Sequence, residues 1–91
     1  MMTLRIKKFY FDAIAKGEKT FELRSTIDFY KRQIDKNPKF LTLHYQKPER
    51  LECEILSIEI VPTPDDIGPE LVKTPTCYKI NLKPIRMYKK K

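Results

Sequence analysis

The stretch from residue 51 to residue 61 most constrains the fold, because its apolar residues change face part-way along a continuous strand pattern. Apolar residues alternate up to Ile55 and alternate again from Leu56, so the inward-facing set shifts by one position between them. A bulge or sharp bend is expected here, since one extra residue returns the apolar face to the core. Strands that bend in this way allow a small sheet to curl closed, which favours a barrel over a flat sheet.

Shorter alternating segments and two helical segments account for the rest of the fold. Strand patterns cover residues 4–7, 20–24, 40–45 and 77–83, and helical spacing covers residues 9–16 and 29–34. Pro84 is expected to break the last strand, because proline cannot donate to a ladder of backbone hydrogen bonds. The proline-rich residues 62–69 are expected to form a loop that could act as a lid. The sequence therefore predicts an α+β fold, a small and mostly antiparallel β-barrel of about five strands with two short helices.

The length and charge of the chain limit its organisation and its partners. A chain of 91 residues predicts a single domain over residues 1–91, with room for one hydrophobic core. The net charge of +7 favours an anionic partner such as RNA or a nucleotide. Four of the basic residues lie within residues 86–91, which are expected to form a basic C-terminal tail. Such a tail either binds nucleic acid or keeps the chain end solvated.

Several classes of protein are disfavoured by what the sequence lacks. No apolar stretch is long enough to span a bilayer, and the start lacks the apolar core of a signal peptide, which predicts a cytoplasmic protein with no membrane partner. Cys53 and Cys77 sit in apolar alternations without metal-ligand spacing, so buried free thiols are expected. His44 is the only histidine, and two glycines cannot form a phosphate-binding loop. No metal and no cofactor is predicted.

The segment from Gly17 to Arg24 combines a helix stop, a strand and charged side chains of both signs. Gly17 follows the first helical segment and fits the left-handed position just beyond a helix end. In the strand that follows, Thr20, Glu22 and Arg24 alternate with apolar residues and share one face, with Lys19 just before them. This group could hold a small polar ligand or a nucleotide phosphate. The alternative is a solvated strand face with weak ion pairs.

Written as GxKxxExR, the positions Gly17, Lys19, Glu22 and Arg24 resemble the signature of the ASCH domain family. The resemblance implies a small β-barrel similar to the PUA domains that bind RNA, with the motif along a cleft between the barrel and its neighbouring helix. Lys19, Glu22 and Arg24 would then lie in a basic groove, with Thr20 alongside. Arg24 would grip a phosphate or a carbonyl edge, Lys19 would act as a mobile cation, and Glu22 would accept from an exocyclic amine or orient Lys19.

Tyrosines would offer a stacking surface for an unpaired base in such a groove. Tyr45 is included among the candidate binding residues, and Tyr10 and Tyr30 could serve the same purpose. The alternative for all three is a position in the core or at its rim.

A small hydrolase of the same family is the second interpretation. One branch of the family is described as amidohydrolases of acylated nucleosides such as acylated cytidine, in which a motif lysine activates a threonine. That threonine position is Glu22 here, and a carboxylate cannot replace an alkoxide nucleophile without changing the chemistry. If the protein is an enzyme, on acylated cytidine or as a ribonuclease, the catalytic candidates are Lys19, Glu22 and Thr20. The residues favour a binding module over this hydrolase and over a third class, an interaction protein without a ligand.

Overall fold

The computed structural model describes residues 2–46, 48–66 and 72–88, which form five strands and two helices. In chain order the elements are β1 (Met2–Arg5), α1 (Lys8–Ala15), β2 (Phe21–Ser25), α2 (Asp28–Asp35), β3 (Phe40–Gln46), β4 (Glu49–Pro62) and β5 (Thr76–Tyr88). The prediction of a small α+β fold is confirmed. Neither of these helices is long and apolar enough to cross a membrane.

All five strands belong to one sheet in the order β1-β3-β4-β5-β2, and the sheet curls into a half-barrel. Strands β1 and β3 run parallel, whereas the other three neighbouring pairs are antiparallel. The mostly antiparallel arrangement is as predicted, but the sheet is an open half-barrel because β1 and β2 form its two edges. Parallel strands need a long crossover, and α1, β2 and α2 all lie in the chain between β1 and β3.

Strand β4 contains the bend that its sequence predicts. The register between β4 and β5 shifts between Ile55 and Ser57, which leaves Leu56 as the extra residue of a β-bulge. Beyond the bulge, Ile58 pairs with Ile80, a fully buried residue of β5. The change of apolar face in the sequence therefore corresponds to the bulge that bends this part of the sheet.

The core consists of inward-facing strand residues packed together with residues of α1. Leu41 and Ile80 have no exposed surface, and neither has Ile14 of α1. Cys53 and Cys77 are buried free thiols, as predicted. Burial raises the pKa of Cys53 to about 11, so this thiol acts as an apolar packing group rather than a nucleophile.

The prediction that Pro84 breaks the last strand is wrong, because β5 continues through it. Pro84 pairs with Cys53 of β4, and a register shift beside this pair accommodates the missing backbone donor. Strand β2 pairs with β5 only over residues 77–81, so the other side of Pro84 is an edge among the described strands. Residues 86–88 consequently belong to β5 rather than to the predicted basic tail, and residues 89–91 lie outside the described residues.

Gly17 ends α1 in the left-handed conformation that its position predicts, with a φ of 79°. The Gly17 N–H donates to the Ile14 carbonyl, and the Glu18 N–H donates to the Ala13 carbonyl, which together form a Schellman cap. The cap ends the helix, so it sets the point from which the chain continues toward β2.

Replacing Gly17 with alanine is expected to lower the free energy of unfolding by about 1 kcal/mol, because a residue with a Cβ is disfavoured at positive φ. An added Cβ would meet no atom within 4 Å, so the loss is conformational rather than steric. Urea denaturation measures it. Gly17→Asn is the control, because asparagine tolerates positive φ and this variant should lose clearly less unfolding free energy than Gly17→Ala. Equal losses of stability in both variants would contradict the explanation.

Candidate functional site

Strand β2 directs charged side chains toward the core side of the sheet. Glu22 pairs with Ile80 and Arg24 pairs with Tyr78 across the β2–β5 ladder, and cross-strand partners share a face. Ile80 and Tyr78 are core residues, so Glu22 and Arg24 project inward beside them. A solvated charged face does not describe Glu22, which is only 7% exposed.

Glu22 is the centre of an ionic cluster, which we define as Lys19, Glu22 and Arg24. Its Oε1 accepts from Lys19 Nζ at 3.3 Å and from the Leu23 backbone N–H at 3.3 Å. Its Oε2 accepts from Arg24 Nη2 at 2.8 Å. These donors compensate the carboxylate for its loss of water, so the three side chains depend on one another electrostatically.

Arg24 connects the ionic cluster to two other parts of the fold. Its Nη2 also donates to the Arg5 carbonyl at the end of β1 at 2.8 Å, and its Nη1 donates to the Tyr30 hydroxyl of α2 at 3.1 Å. Because β1 and β2 are the two edges of the sheet, this side chain bridges the opening of the half-barrel. The buried Arg24 Nε has no partner among the described residues, so the guanidinium retains an unused donor.

The Lys19 ammonium lies against aromatic rings as well as against Glu22. Its Nζ is 4.2 Å from the centroid of the Tyr10 ring and 5.8 Å from that of Phe21, which are cation–π distances. Within the described part of the chain, Lys19 donates to Glu22 rather than to the Thr20 hydroxyl. An ammonium carries three N–H groups, so Lys19 keeps donors for an anion.

A cleft of about 1020 Å³ opens beside the ionic cluster. Its lining includes all five residues nominated from the sequence, namely Lys19, Thr20, Glu22, Arg24 and Tyr45. Among the described lining residues, basic ones outnumber acidic ones by five to three, with Arg5, Lys7, Lys8, Lys19 and Arg24 against Glu18, Glu22 and Asp66. The excess of two positive charges makes the cleft more favourable for an anion than for a cation.

Tyr45 is held in the wall of the cleft by contacts with Phe11 and Glu49. Its ring meets Phe11 edge-on with centroids 4.8 Å apart, and its hydroxyl donates to the Glu49 carboxylate. The hydrogen bond to Glu49 raises the pKa of Tyr45, because the neutral phenol is the donor. A ring already fixed in this way loses little conformational freedom when a ligand stacks on it.

The sequence prediction did not include the cleft residues that come from distant parts of the chain. Arg5 and Lys7 enter from β1 and the residues after it, and the basic alternation of that segment was an available signal. Pro64 and Val72 come from the chain between β4 and β5, part of which was predicted to be a lid. Residues 67–69 of that predicted lid lie outside the described residues.

The described residues contain no group of three or more His, Cys, Asp or Glu side chains that could hold a metal ion. Comparisons of the chain with protein-family models, with curated proteins and with solved structures find no match. The interpretation of the cleft therefore depends on its own geometry and on the residues of the motif.

Proposed function

We propose that this chain is an ASCH-like domain of the PUA type that binds a nucleotide unit in its cleft, either within single-stranded RNA or as a free nucleotide. The observation that carries the proposal is the inward position of the ionic cluster beside a basic concave surface. Apolar residues could fill the same strand positions without the desolvation of three charged groups. Charged side chains retained in a cleft are therefore a reason to infer a ligand.

The cations of the cluster suit a phosphate. Arg24 places a guanidinium in the wall of the cleft, and Lys19 offers the N–H groups that Glu22 does not use. Hydrogen bonds between charged donors and phosphate oxygens are shorter and stronger than neutral ones. The positive excess of the cleft lining would also draw a polyanion toward it from a distance.

The tyrosines of the cleft suit a base. Tyr10, Tyr30 and Tyr45 all line it, and base–aromatic stacking contributes about 1–3 kcal/mol per base. From the residues that the structure describes, Glu22 Oε2 accepts a single hydrogen bond, and it has a further lone pair for an exocyclic amine. A ligand with both a phosphate and a base would use both sides of the site.

The contacts of Lys19 favour binding over catalysis. Its Nζ is 3.3 Å from Glu22 Oε1, so the ammonium is engaged as a cation by a carboxylate. Activation of a hydroxyl nucleophile requires a neighbouring base that is directed at that hydroxyl. A lysine directed at Glu22 and at the Tyr10 ring serves better to hold an anion.

Lys19→Gln is expected to weaken the binding of short single-stranded RNA about 10-fold, because the substitution removes one charge-assisted contact to phosphate. Fluorescence anisotropy over a range of salt concentrations measures the change. The slope of log affinity against log salt should fall by about 0.7 if one phosphate contact is lost.

Lys31→Gln is the matched control, because Lys31 also pairs with a carboxylate, Asp35, at 2.7 Å, but on the exposed surface of α2. Its RNA affinity should stay within about twofold of the wild type. Competition experiments with mononucleotides separate the two ligand sources. If a mononucleotide displaces labelled RNA as effectively as unlabelled RNA does, the ligand is a free nucleotide. If it displaces labelled RNA only weakly, the ligand is RNA. Binding of neither ligand, or equal losses in both lysine variants, would overturn the proposal.

A further inference from the structure

Among the described strands, the second half of β4 is an open edge of the sheet. Strand β3 pairs with β4 from Glu49 to Glu54, and the Ile55 N–H then donates to the Lys39 carbonyl at 2.9 Å. Over residues 56–62, β4 pairs with β5 on one side, and no described strand lies on the other. An edge of this kind presents backbone donors and acceptors that a further strand can use.

The backbone groups of Ile58 and Ile60 point toward this open edge. The Thr63 N–H donates to the Pro75 carbonyl at 2.9 Å, which directs the backbone of Thr63 toward β5. Hydrogen-bonding directions alternate along an antiparallel strand, so the odd-numbered residues after the bulge bond to β5. The backbone groups of Ile58 and Ile60, beyond the bulge, therefore face outward and can pair with a new strand.

Exposed apolar side chains accompany these outward-facing backbone groups. Ile60 is 67% exposed and Leu56 is 59% exposed. Ile58 and Ile60 pair with Ile80 and Tyr78 of β5, so they extend the core-side face of the sheet as far as the open edge. An apolar, unpaired edge of this kind is a site for pairing with another chain.

We propose that residues 56–60 of two copies pair in an antiparallel manner about a two-fold axis at Ile58, which joins two half-barrels into one continuous sheet. The segment Leu-Ser-Ile-Glu-Ile has the same apolar and polar alternation in both directions. In this register Ile58 faces the partner's Ile58 across the axis, and Ser57 faces the partner's Glu59. Leu56, the bulge residue, comes opposite the partner's Ile60 at the end of the paired segment. Because the same patch is used on both copies, the assembly closes as a dimer.

Electrostatic repulsion disfavours the alternative register centred on Glu59, because it would place two carboxylates directly opposite each other. In the register centred on Ile58, each Glu59 meets a serine. Ser57 Oγ accepts from Asn81 Nδ2 at 2.9 Å, so its own O–H can donate to the partner's Glu59. Asn81 Nδ2 also donates to Glu59 Oε2 at 3.0 Å, which holds that carboxylate on the same face as Ser57.

Residues 73 and 74, just before β5, bind beside β2 and away from the pairing edge. The Lys73 N–H donates to Ser25 Oγ at 3.1 Å, and the Thr26 N–H donates to Thr74 Oγ1 at 3.0 Å, both beside β2. Because β5 separates β2 from β4, the cleft and the pairing edge lie on different sides of β5. The dimer would leave both clefts accessible.

Sedimentation equilibrium of the purified protein tests the pairing. The wild type is expected to approach twice the monomer mass of 10.9 kDa with rising concentration, with a dissociation constant of about 100 μM for a contact this small. Ile60→Lys places a charge opposite the partner's Leu56 and is expected to weaken association about 10-fold or more. Ile85→Lys is the matched control, because Ile85 is 57% exposed but lies on β5.

Cysteine cross-linking tests the register independently. At the axis, the Cα atoms of the two Ile58 residues would be about 5.5 Å apart, which a disulfide can span. Ile58→Cys is expected to cross-link under mild oxidation and Glu59→Cys is not, while the native thiols are buried. A wild type that stays monomeric into the millimolar range overturns the proposal. So does cross-linking of Glu59→Cys alone, or equal weakening by Ile60→Lys and Ile85→Lys.

Discussion

Replacing Glu22 with alanine is expected to lower the free energy of unfolding by about 3 kcal/mol, measured by urea denaturation. The carboxylate lies between two cations, and its removal leaves Lys19 and Arg24 close together without the intervening anion. The Lys19 side chain is 23% exposed and the Arg24 side chain is 15% exposed, so water screens these charges in part. The expected loss therefore lies at the lower end of the range for breaking a buried ion pair.

Asp12→Ala is the matched control for Glu22→Ala. Asp12 pairs with Lys8 at 2.7 Å, but the two side chains are 41% and 64% exposed. The expected change in unfolding free energy is within about 0.5 kcal/mol, although this distance is shorter than that between Lys19 and Glu22. If both variants lost equally little stability, the ionic cluster would be solvated in solution, and the main support for a ligand site would be lost.

Arg24→Lys is expected to lower the free energy of unfolding by about 2 kcal/mol even though it preserves the charge. The guanidinium donates to Glu22, to the Arg5 carbonyl and to the Tyr30 hydroxyl at the same time. A lysine ammonium cannot reproduce this planar fork and would leave some of these acceptors unpaired. Hydrogen exchange should accordingly become faster in β1, where the Arg5 carbonyl loses its side-chain partner.

Arg50→Lys controls for the general effect of replacing an arginine. Arg50 is exposed, and its guanidinium lies 4.2 Å from the Tyr88 ring centroid at the surface. The loss of this contact should change stability by about 0.5 kcal/mol and leave exchange in β1 unaltered. Uniformly faster exchange throughout the sheet in Arg24→Lys would indicate global destabilisation and contradict a specific role in bridging the two edges.

Local features of the fold could be predicted from the sequence because they depend on neighbouring residues. The position of Gly17 determines where α1 ends, and the shift of apolar parity at Leu56 determines where β4 bulges. Strand partners could not be predicted in the same way, since the parallel pairing of β1 with β3 joins segments separated by three other elements. The continuation of β5 through Pro84 likewise depends on β2 ending short of it, which is a property of the whole sheet.

The candidate site shows the same division between local and distant information. Alternation in the sequence put Glu22 and Arg24 on one face, but alternation alone does not decide which face of an edge strand is buried. In the folded chain the half-buried Phe21 and Leu23 take the outer face, where Lys79 Nζ lies 4.8 Å from the Phe21 ring. The burial of Glu22 thus results from the pairing of β2 with β5, which no motif spacing contains.

For the proposed ligand site, the position of Arg24 would also link ligand preference to the rigidity of the domain. A molecule that displaces the guanidinium from the Arg5 carbonyl would break the hydrogen bond that connects the two edge strands, β1 and β2. A molecule that occupies the cleft without displacing the guanidinium would leave β1 and β2 connected. The rigidity of the domain would then depend on whether the bound ligand leaves or breaks the hydrogen bond between Arg24 and the Arg5 carbonyl.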